Sequence, residues 1–421
     1  MRALKLKAGA LQFTMFVVVI IALLLAAFTI LVHTHKAFRI RTDFVVGTVD
    51  VVNNTVDQML INDPQSNKTQ FLTNDQGYEI NIHNDHWGLF NKLSVVSKLK
   101  NSTFKKIALV GGSQPEINKT ALYLEEQNKP LVVVGKTHIQ GDVYLPKQGV
   151  RTGNISGHSY YGSRLIYGSN KTSNTLPDIN PNILKHLEGM TETVKSIAPE
   201  QFIDLGKDRI YQNSFYDPAK VIFSPMAIDL SRVSLTGHIL VQSETKIVVD
   251  PTSQLTDVIL MAPEVEIKLH SKGTFQILAS RGITVGNDCT LSYPSALILI
   301  EDKQVNKQTQ NTEDTPYIKL HKGAMVKGEI VYLGNSKNYR SQVFIDDGAT
   351  VVGEVYCNKN VELLGSIYGS VYTSGFVAAQ SGSVYQNHIY NGTIQVDKLP
   401  QEYVGLLFED HIKKGIAKWL Y

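Results

Sequence analysis

The chain has 421 residues, with 41 lysines and arginines against 38 aspartates and glutamates, giving a formal net charge of +3. This near balance argues against a nucleic-acid-binding protein, which usually carries a dense basic patch. Only 19% of the residues are charged and 43% are hydrophobic, and the length leaves room for one large or two ordinary domains.

The first predicted element is a transmembrane helix at Leu11–Val32. This stretch carries no charged residue, and it has the ~20 residues that a helix needs to cross a bilayer core about 30 Å thick. A cleaved secretory signal is the alternative, but the following residues 33–38, HTHKAF, contain no small-x-small cleavage site. A short tail is easily left in the cytoplasm, so residues 37–421 are predicted to lie outside.

Beyond the membrane span, residues 33–61 predict an amphipathic stem helix. Apolar residues recur there at spacings of four and three, as in an a/d seam. The seam consists of Val45, Val49, Val52, Val56 and Met59. Either the helix lies on its own domain, or the seam mediates self-association. A membrane helix that continues into an apolar-striped stem resembles the N-terminal half of pilin-like proteins.

Residues 62–136 are predicted to form a mixed α/β region. Residues 78–83 alternate like a strand, whereas residues 89–99 have helical spacing. Two short apolar runs follow at residues 106–111 and 130–135, and we interpret them as short strands with a connection. Both runs end in glycine but lack a complete phosphate-binding motif, so no nucleotide site is predicted.

From residue 137 onward, short β-branched runs are broken by single glycines, and a phrase of glycine, a polar residue and an apolar β-former recurs. The phrase begins at Gly141, Gly237, Gly328, Gly353, Gly365 and Gly369. Asn-Gly and Asp-Gly hairpin turns, which are usual between the strands of a sandwich or barrel, are rare here. The pattern favours a parallel β-helix, whose rungs stack without hairpins and whose glycines turn the corners.

Two helical segments are predicted beside the β-helix. Residues 176–216 are interpreted as one or two helices, an inserted excursion broken by Pro199. Residues 400–421 predict an amphipathic helix with Leu407, Ile412 and Ile416 along one side, which would cap an open solenoid end or pack on its flank. A membrane-interface or partner-binding helix is the alternative.

Parts of the β region resemble a known family. The segments VKGEIVYLG at 326–334, TVVGEVYCNKNVELLGSIYGSVYTSGF at 350–376 and HIQGDVYL at 138–145 look like the rungs of bactofilins, the bacterial polymer-forming β-helix proteins. This resemblance implies right-handed stacked rungs, end-to-end polymerisation and a membrane-linked scaffold.

The predicted fold class is mainly β: a parallel β-helix or solenoid body with helical excursions behind an N-terminal single-pass helix. The predicted segments are a cytoplasmic tail at 1–10, the transmembrane helix at 11–32, the stem helix at 33–61, the mixed juxtamembrane region at 62–136, a first β region at 137–175, the helical excursion at 176–216, the β-helix at 217–399 and the C-terminal amphipathic helix at 400–421.

No catalytic constellation, cofactor site or metal site is predicted. His83 and His86 flank a carboxylate, but the sequence names no third ligand to complete a metal site. The carboxylate pairs at 301–302 and 346–347 are interpreted as turn acids, because adjacent residues of a strand point to opposite faces.

The two cysteines, Cys289 and Cys357, are far apart in sequence and do not form a CxxC motif. This spacing argues against a zinc site. In an oxidising compartment they could form a disulfide. They could equally be buried thiols that serve as small hydrophobic side chains. The sequence leaves both interpretations open.

These patterns predict a non-enzymatic scaffold or subunit of a secretion- or pilus-like assembly, displayed on the periplasmic side of a bacterial inner membrane. Its expected partners are the lipid bilayer, through Leu11–Val32, and further copies or other envelope proteins, with a glycan as a possible ligand and no nucleic acid. The alternative is a carbohydrate-active β-helix enzyme or polysaccharide-binding module with a tyrosine-lined groove. The tyrosines concerned are Tyr160, Tyr161, Tyr368, Tyr372 and Tyr385.

Overall fold

A computed structural model describes residues 8–61, 68–114, 119–190, 197–302, 315–335, 338–409 and 413–421. Most of the predicted cytoplasmic tail and Ile412 of the predicted C-terminal helix lie outside these ranges. Strands account for 50% of the chain and helices for 18%, so the predicted mainly β fold class is confirmed.

The chain divides into two compact units. The helix unit comprises Met1–Gln58, Thr69–His83 and Val95–Lys106. The solenoid unit comprises Met59–Lys68, Asn84–Ser94 and Ile107–Tyr421. Helix α1 and all four of the early strands, β1 to β4, therefore contribute residues to both units.

The helix unit is built from α1 and the early strands. Helix α1, Ala8–Ile61, is 54 residues long and continues through Gly47 without a break. The strands are β1 (Lys68–Thr73), β2 (Glu79–Trp87), β3 (Phe90–Leu99) and β4 (Ser102–Ser113), in the sheet order β1-β2-β3-β4. The predicted helix at residues 89–99 is wrong, because Leu93, Val95 and Ser97 are buried at the two-residue period of a strand.

The solenoid unit begins with short strands that follow the second half of β4. They are β5 (Thr120–Leu124), β6 (Leu131–Val134), β7 (His138–Gln140), β8 (Asp142–Leu145), β9 (Val150–Thr152), β10 (Asn154–Ile155), β11 (His158–Ser159) and β12 (Asn170–Thr172). Helix α2, Pro181–Met190, and a 3₁₀ turn at Pro199–Gln201 come next. The predicted helical excursion is thus shorter than 176–216, because Ile210–Asn213 already forms a strand of the solenoid.

The main coil then runs through a long series of parallel strands. They are β13 (Ile210–Asn213), β14 (Lys220–Ser224), β15 (Ile228–Leu230), β16 (Ser234–Gly237), β17 (Ile239–Ser243), β18 (Lys246–Val249), β19 (Gln254–Met261), β20 (Glu264–Ile267), β21 (Lys272–Ala279), β22 (Gly282–Val285), β23 (Thr290–Ile300), β24 (Tyr317–Leu320), β25 (Met325–Leu333), β26 (Val343–Ile345), β27 (Thr350–Leu363) and β28 (Ser366–Gln380). Each rung pairs in parallel with the next, as β23 does with β25 and β25 with β27.

The chain ends in five further strands. They are β29 (Ser383–Gln386), β30 (His388–Tyr390), β31 (Thr393–Gln395), β32 (Val404–Gly405) and β33 (Lys414–Leu420). The predicted helix at residues 400–421 is wrong, because β32 and β33 pair antiparallel with the Ile107–Ser113 part of β4. The free edge of β4 supplies backbone hydrogen-bond partners, and this tertiary pairing overrides the helical spacing of the apolar residues.

The order of the rungs in space differs from their order in the chain. Strands β5, β6 and β7 stack on β28, β30 and β31, so residues 120–140 extend the end of the coil that the chain reaches last. One inward ladder crosses this junction without interruption. It consists of Ile330, Val355, Val371, Leu122 and Val143, each fully buried. Each such side chain contributes roughly 1.5–3 kcal/mol on burial.

The recurring glycines turn corners of the coil. Gly328, Gly353 and Gly369 stack in register on three rungs and have φ values of 138°, 152° and 155°. A Cβ on Gly353 would lie 1.9 Å from the Gly328 carbonyl oxygen. Glycine is therefore required there by both the backbone conformation and the close approach of the neighbouring rung.

Candidate membrane anchor and associated sites

The predicted membrane span lies in the first half of α1 and has no protein around it. The most apolar 18-residue window has a mean hydropathy of 3.2, and none of it is buried in the structure. The Thr14 and Thr29 hydroxyls donate to the carbonyl oxygens of Leu11 and Leu25 at 2.9 and 2.8 Å. The helix thus satisfies its own polar groups and is long and apolar enough to span a membrane.

Apolar side chains remain exposed on α1 after the predicted span ends. Phe38 is 72% exposed, Val45 47% and Val46 51%. Phe38 and Val45 are seven residues apart and therefore lie on the same side of the helix. Exposed apolar side chains therefore continue along one side of α1 beyond the predicted span.

The last part of α1 packs within the helix unit. Val52 and Val56 are buried, and the Tyr78 ring lies directly against Gly47, where a Cβ would clash with it. The Lys106 ammonium donates to Asn53 Oδ1 at 2.8 Å. These contacts fix the C-terminal end of α1 on its own sheet.

The five seam residues consequently lie in different environments. Val52 and Val56 are buried within the chain, Val49 and Met59 are half-buried, and Val45 is exposed. Of the five seam residues, Val45 is the one whose side chain is exposed. Phe38, one heptad closer to the predicted span, is also exposed.

Cys289 and Cys357 are free, buried thiols, not a disulfide. The Cys289 thiol lies 3.0 Å from the Lys268 carbonyl oxygen. Burial raises the pKa of the Cys289 thiol, and it raises the pKa of Cys357 to about 12. Both side chains pack in the core of the solenoid as small hydrophobic groups.

The histidines singled out from the sequence lie on opposite faces of β2, because their spacing of three is odd in a strand. His83 Nδ1 lies 3.1 Å from the Thr69 hydroxyl, whereas the His86 ring lies tilted against the His186 ring, with the ring centroids 4.9 Å apart. Within the described residues, no three His, Cys, Asp or Glu side chains come together as a metal site.

The two carboxylate pairs hold local structure. Glu301 is buried and accepts hydrogen bonds from the Tyr332 hydroxyl and from the Asn335 amide at 2.8 Å. Asp346 accepts the amide of Asp347 at 2.8 Å, within a turn. Glu301 and Asp346 therefore hold local structure through these hydrogen bonds.

The tyrosines of the predicted sugar groove do not gather in one place. Tyr372 is buried with its ring 4.8 Å from that of Phe408, and Lys398 covers the Tyr368 ring at 4.3 Å. Tyr160 and Tyr385 pack against different apolar clusters. These side chains therefore do not form a shared groove.

Sequence reasoning missed a buried polar ladder on one outward face of the solenoid. Gln276, Ala296, Glu329 and Glu354 follow one another in register on β21, β23, β25 and β27. Gln276 donates to the Trp87 carbonyl oxygen at 2.9 Å and accepts the Leu89 amide at 2.8 Å. Chain segments that cover this face are therefore held by the ladder.

The two glutamates of the ladder hold the segment that leads to β32 and continues past it. Tyr403 donates its hydroxyl to Glu329, and the Leu406 amide donates to Glu354 Oε2 at 2.7 Å. Gln114 also donates to Glu354. The identical Gly-Glu pairs at 328–329 and 353–354 are the sequence signal that places both carboxylates on one face.

Both glutamates are fully buried, and this burial raises their pKa values above the ordinary range. The neighbouring Glu354 carboxylate raises the pKa of Glu329 further. Hydrogen bonds from Leu406 and Gln114 oppose the rise in the pKa of Glu354. Glu329 is therefore the more easily protonated of the two.

No protein-family model matches this sequence, and no curated protein is similar to it. Among solved structures, the chain matches the competence-associated pilin ComZ from Thermus thermophilus at a TM-score of 0.26 and 10% sequence identity, over 84% of this chain and 86% of that chain. A TM-score this low carries no argument about function. The described features define a mainly β solenoid protein with a helix able to span a membrane, and the bactofilin resemblance stays a prediction.

Proposed function

We propose that this chain is a membrane-anchored structural subunit of a bacterial envelope assembly of the pilus or secretion type. One observation supports this most strongly: α1 is a single helix of 54 residues that is exposed at its apolar beginning and packed on its own sheet at its end. At 1.5 Å per residue it is roughly 80 Å long, well beyond a bilayer core of about 30 Å.

The proposed role is structural, not enzymatic. Residues 11–32 cross the inner membrane, the N-terminus stays in the cytoplasm, and the solenoid lies in the periplasm. Copies associate through the exposed side of α1 that carries Phe38 and Val45, because apolar surface outside the bilayer is stabilised when another apolar surface covers it.

Single-cysteine cross-linking in membranes tests this proposal. The variants Phe38→Cys and Val45→Cys are expected to give a disulfide-linked dimer on oxidation, since both positions are exposed on the proposed contact side. The two native cysteines are buried and do not interfere. A membrane-impermeant maleimide should label Phe38→Cys from the periplasmic side, which reports the orientation.

Asp50→Cys is the matched control, because Asp50 is exposed on α1 but faces away from Phe38 and Val45. It should be labelled but not cross-linked. Equal cross-linking at Asp50, or none at Phe38 and Val45, contradicts association through this side of the helix.

A further inference from the structure

A groove on another face of the solenoid has the lining of a ligand site. Its floor is an outward ladder of Thr284, Lys319, Phe344 and Glu362, in register on β22, β24, β26 and β27. Their neighbours along each strand are core residues, so these side chains point outward. With rungs about 4.8 Å apart, the floor is a straight track along the solenoid.

Two walls convert this track into a groove of about 540 Å³. One wall is the antiparallel hairpin of the last part of β28 with β29, and the other is the segment around Tyr339 and Arg340. The volume lies within the range of small-molecule and oligomer sites, roughly 300–1,000 Å³.

Aromatic rings line the groove. Tyr317 is 42% exposed and Tyr339 is 65% exposed, and the Phe344 ring lies under the Lys319 ammonium at 5.3 Å. Such rings offer flat apolar faces, and the tyrosines add a hydroxyl. A ligand with flat apolar faces and many hydroxyl groups, such as a sugar ring, would match them.

Two cations, Lys319 and Arg340, belong to the described lining of the groove. Among the described residues, neither Lys319 nor Arg340 forms an ion pair. Glu362 is buried, and its oxygens accept the Ala379 amide at 3.0 Å and the Ser341 hydroxyl at 3.1 Å. That carboxylate therefore holds the walls to the floor, and no described carboxylate pairs with Lys319 or Arg340.

We propose that this groove binds a segment of an acidic polysaccharide. Sugar rings stack on Tyr317 and Tyr339, and the planar guanidinium of Arg340 pairs with a uronate carboxylate. The described lining offers one carboxylate whose oxygens are already engaged, whereas glycoside hydrolysis generally uses two. The site is therefore one of binding, not of cleavage.

Binding of defined oligosaccharides to the full-length protein in detergent tests this inference. A galacturonic acid hexasaccharide should bind, and its affinity should fall with added salt, whereas maltohexaose, a neutral hexasaccharide, should bind far more weakly. Arg340→Gln should weaken hexagalacturonate binding about tenfold through loss of a charge-assisted pair. Tyr317→Ala should weaken it through loss of stacking.

Arg232→Gln is the matched control, since Arg232 is exposed on the solenoid away from the groove and should leave binding unchanged. All three substitutions lie at exposed side chains, and circular dichroism verifies that each variant is folded. Equal binding of the neutral sugar, or unchanged affinity in Arg340→Gln, overturns the inference. Tighter binding of single-stranded oligothymidylate, lost in the same variants, overturns it in favour of nucleic acid.

Discussion

Glu329 and Glu354 form a buried pair of carboxyl groups in the solenoid. Glu329 and Glu354 lie on neighbouring rungs, fully buried, and face the segment that leads to β32. Two adjacent carboxylates cannot both be ionised in such surroundings without a large cost. The pair therefore retains a proton to higher pH than exposed glutamates do.

This proton links stability to pH. The pKa of Glu329 is raised in the folded state. The stabilisation that this group contributes to the folded state is therefore fully present below the ordinary glutamate pKa of about 4.3, and it is lost as pH rises through the raised pKa. Glu329→Gln keeps the shape but removes the ionisation. We expect the Glu329→Gln protein to lose less stability than the unmodified protein as pH rises from about 5 to about 8. At about pH 8 the difference should be on the order of 1–3 kcal/mol in the free energy of unfolding.

Thermal unfolding of the unmodified protein and of Glu329→Gln, each at about pH 5 and about pH 8, measures this difference. Glu264→Gln is the control, since Glu264 is exposed and should leave the pH dependence unchanged. If Glu329→Gln loses stability with pH as steeply as the unmodified protein, Glu329 is not the group that holds the proton.

At the scale of elements, the stacked glycines decide whether neighbouring rungs can approach. Gly353→Ala would bring a Cβ to 1.9 Å from the Gly328 carbonyl oxygen at a φ of 152°. We expect a loss of stability on the order of 3 kcal/mol or more. The midpoint of thermal unfolding, followed by circular dichroism in detergent, measures it.

Gly382→Ala separates the steric clash with the neighbouring rung from the strain of a positive φ. Gly382 also has a positive φ, of 79°, but it has open space around it. Its cost should be about 1 kcal/mol, that of the backbone conformation alone. Similar losses for both variants would mean that close packing of the rungs at Gly353 contributes little.

Element types could be predicted where local pattern and tertiary contacts agree. The glycine phrases and β-branched runs predicted the parallel coil, because the same residues turn corners and fill the core. The predictions based on helical spacing were wrong at β3 and β33. The apolar residues of both segments also fit a helical period, but β3 pairs with its chain neighbours β2 and β4. Strand β33 pairs with β4, whose residues are distant in sequence.

At the scale of the whole molecule, the stacking order of the rungs could not be predicted from the chain. Residues 120–140 extend the end of the coil reached last, through pairings with β28, β30 and β31. A repeat pattern gives the type of rung but carries no information on which distant rungs meet. The aromatic and cationic groove arises in the same way, since β22 to β29 bring its residues together from across the coil.

The mass of the protein in solution tests the proposed assembly of copies through the exposed side of α1 most directly. Light scattering of the purified full-length protein in detergent measures its mass directly, beside the double variant Phe38→Ser/Val45→Ser and the control Asp50→Ser. We expect a defined oligomer for the unmodified protein and for the control, and a monomer for the double variant. A monomeric unmodified protein, or a double variant with the same oligomeric mass, would contradict it.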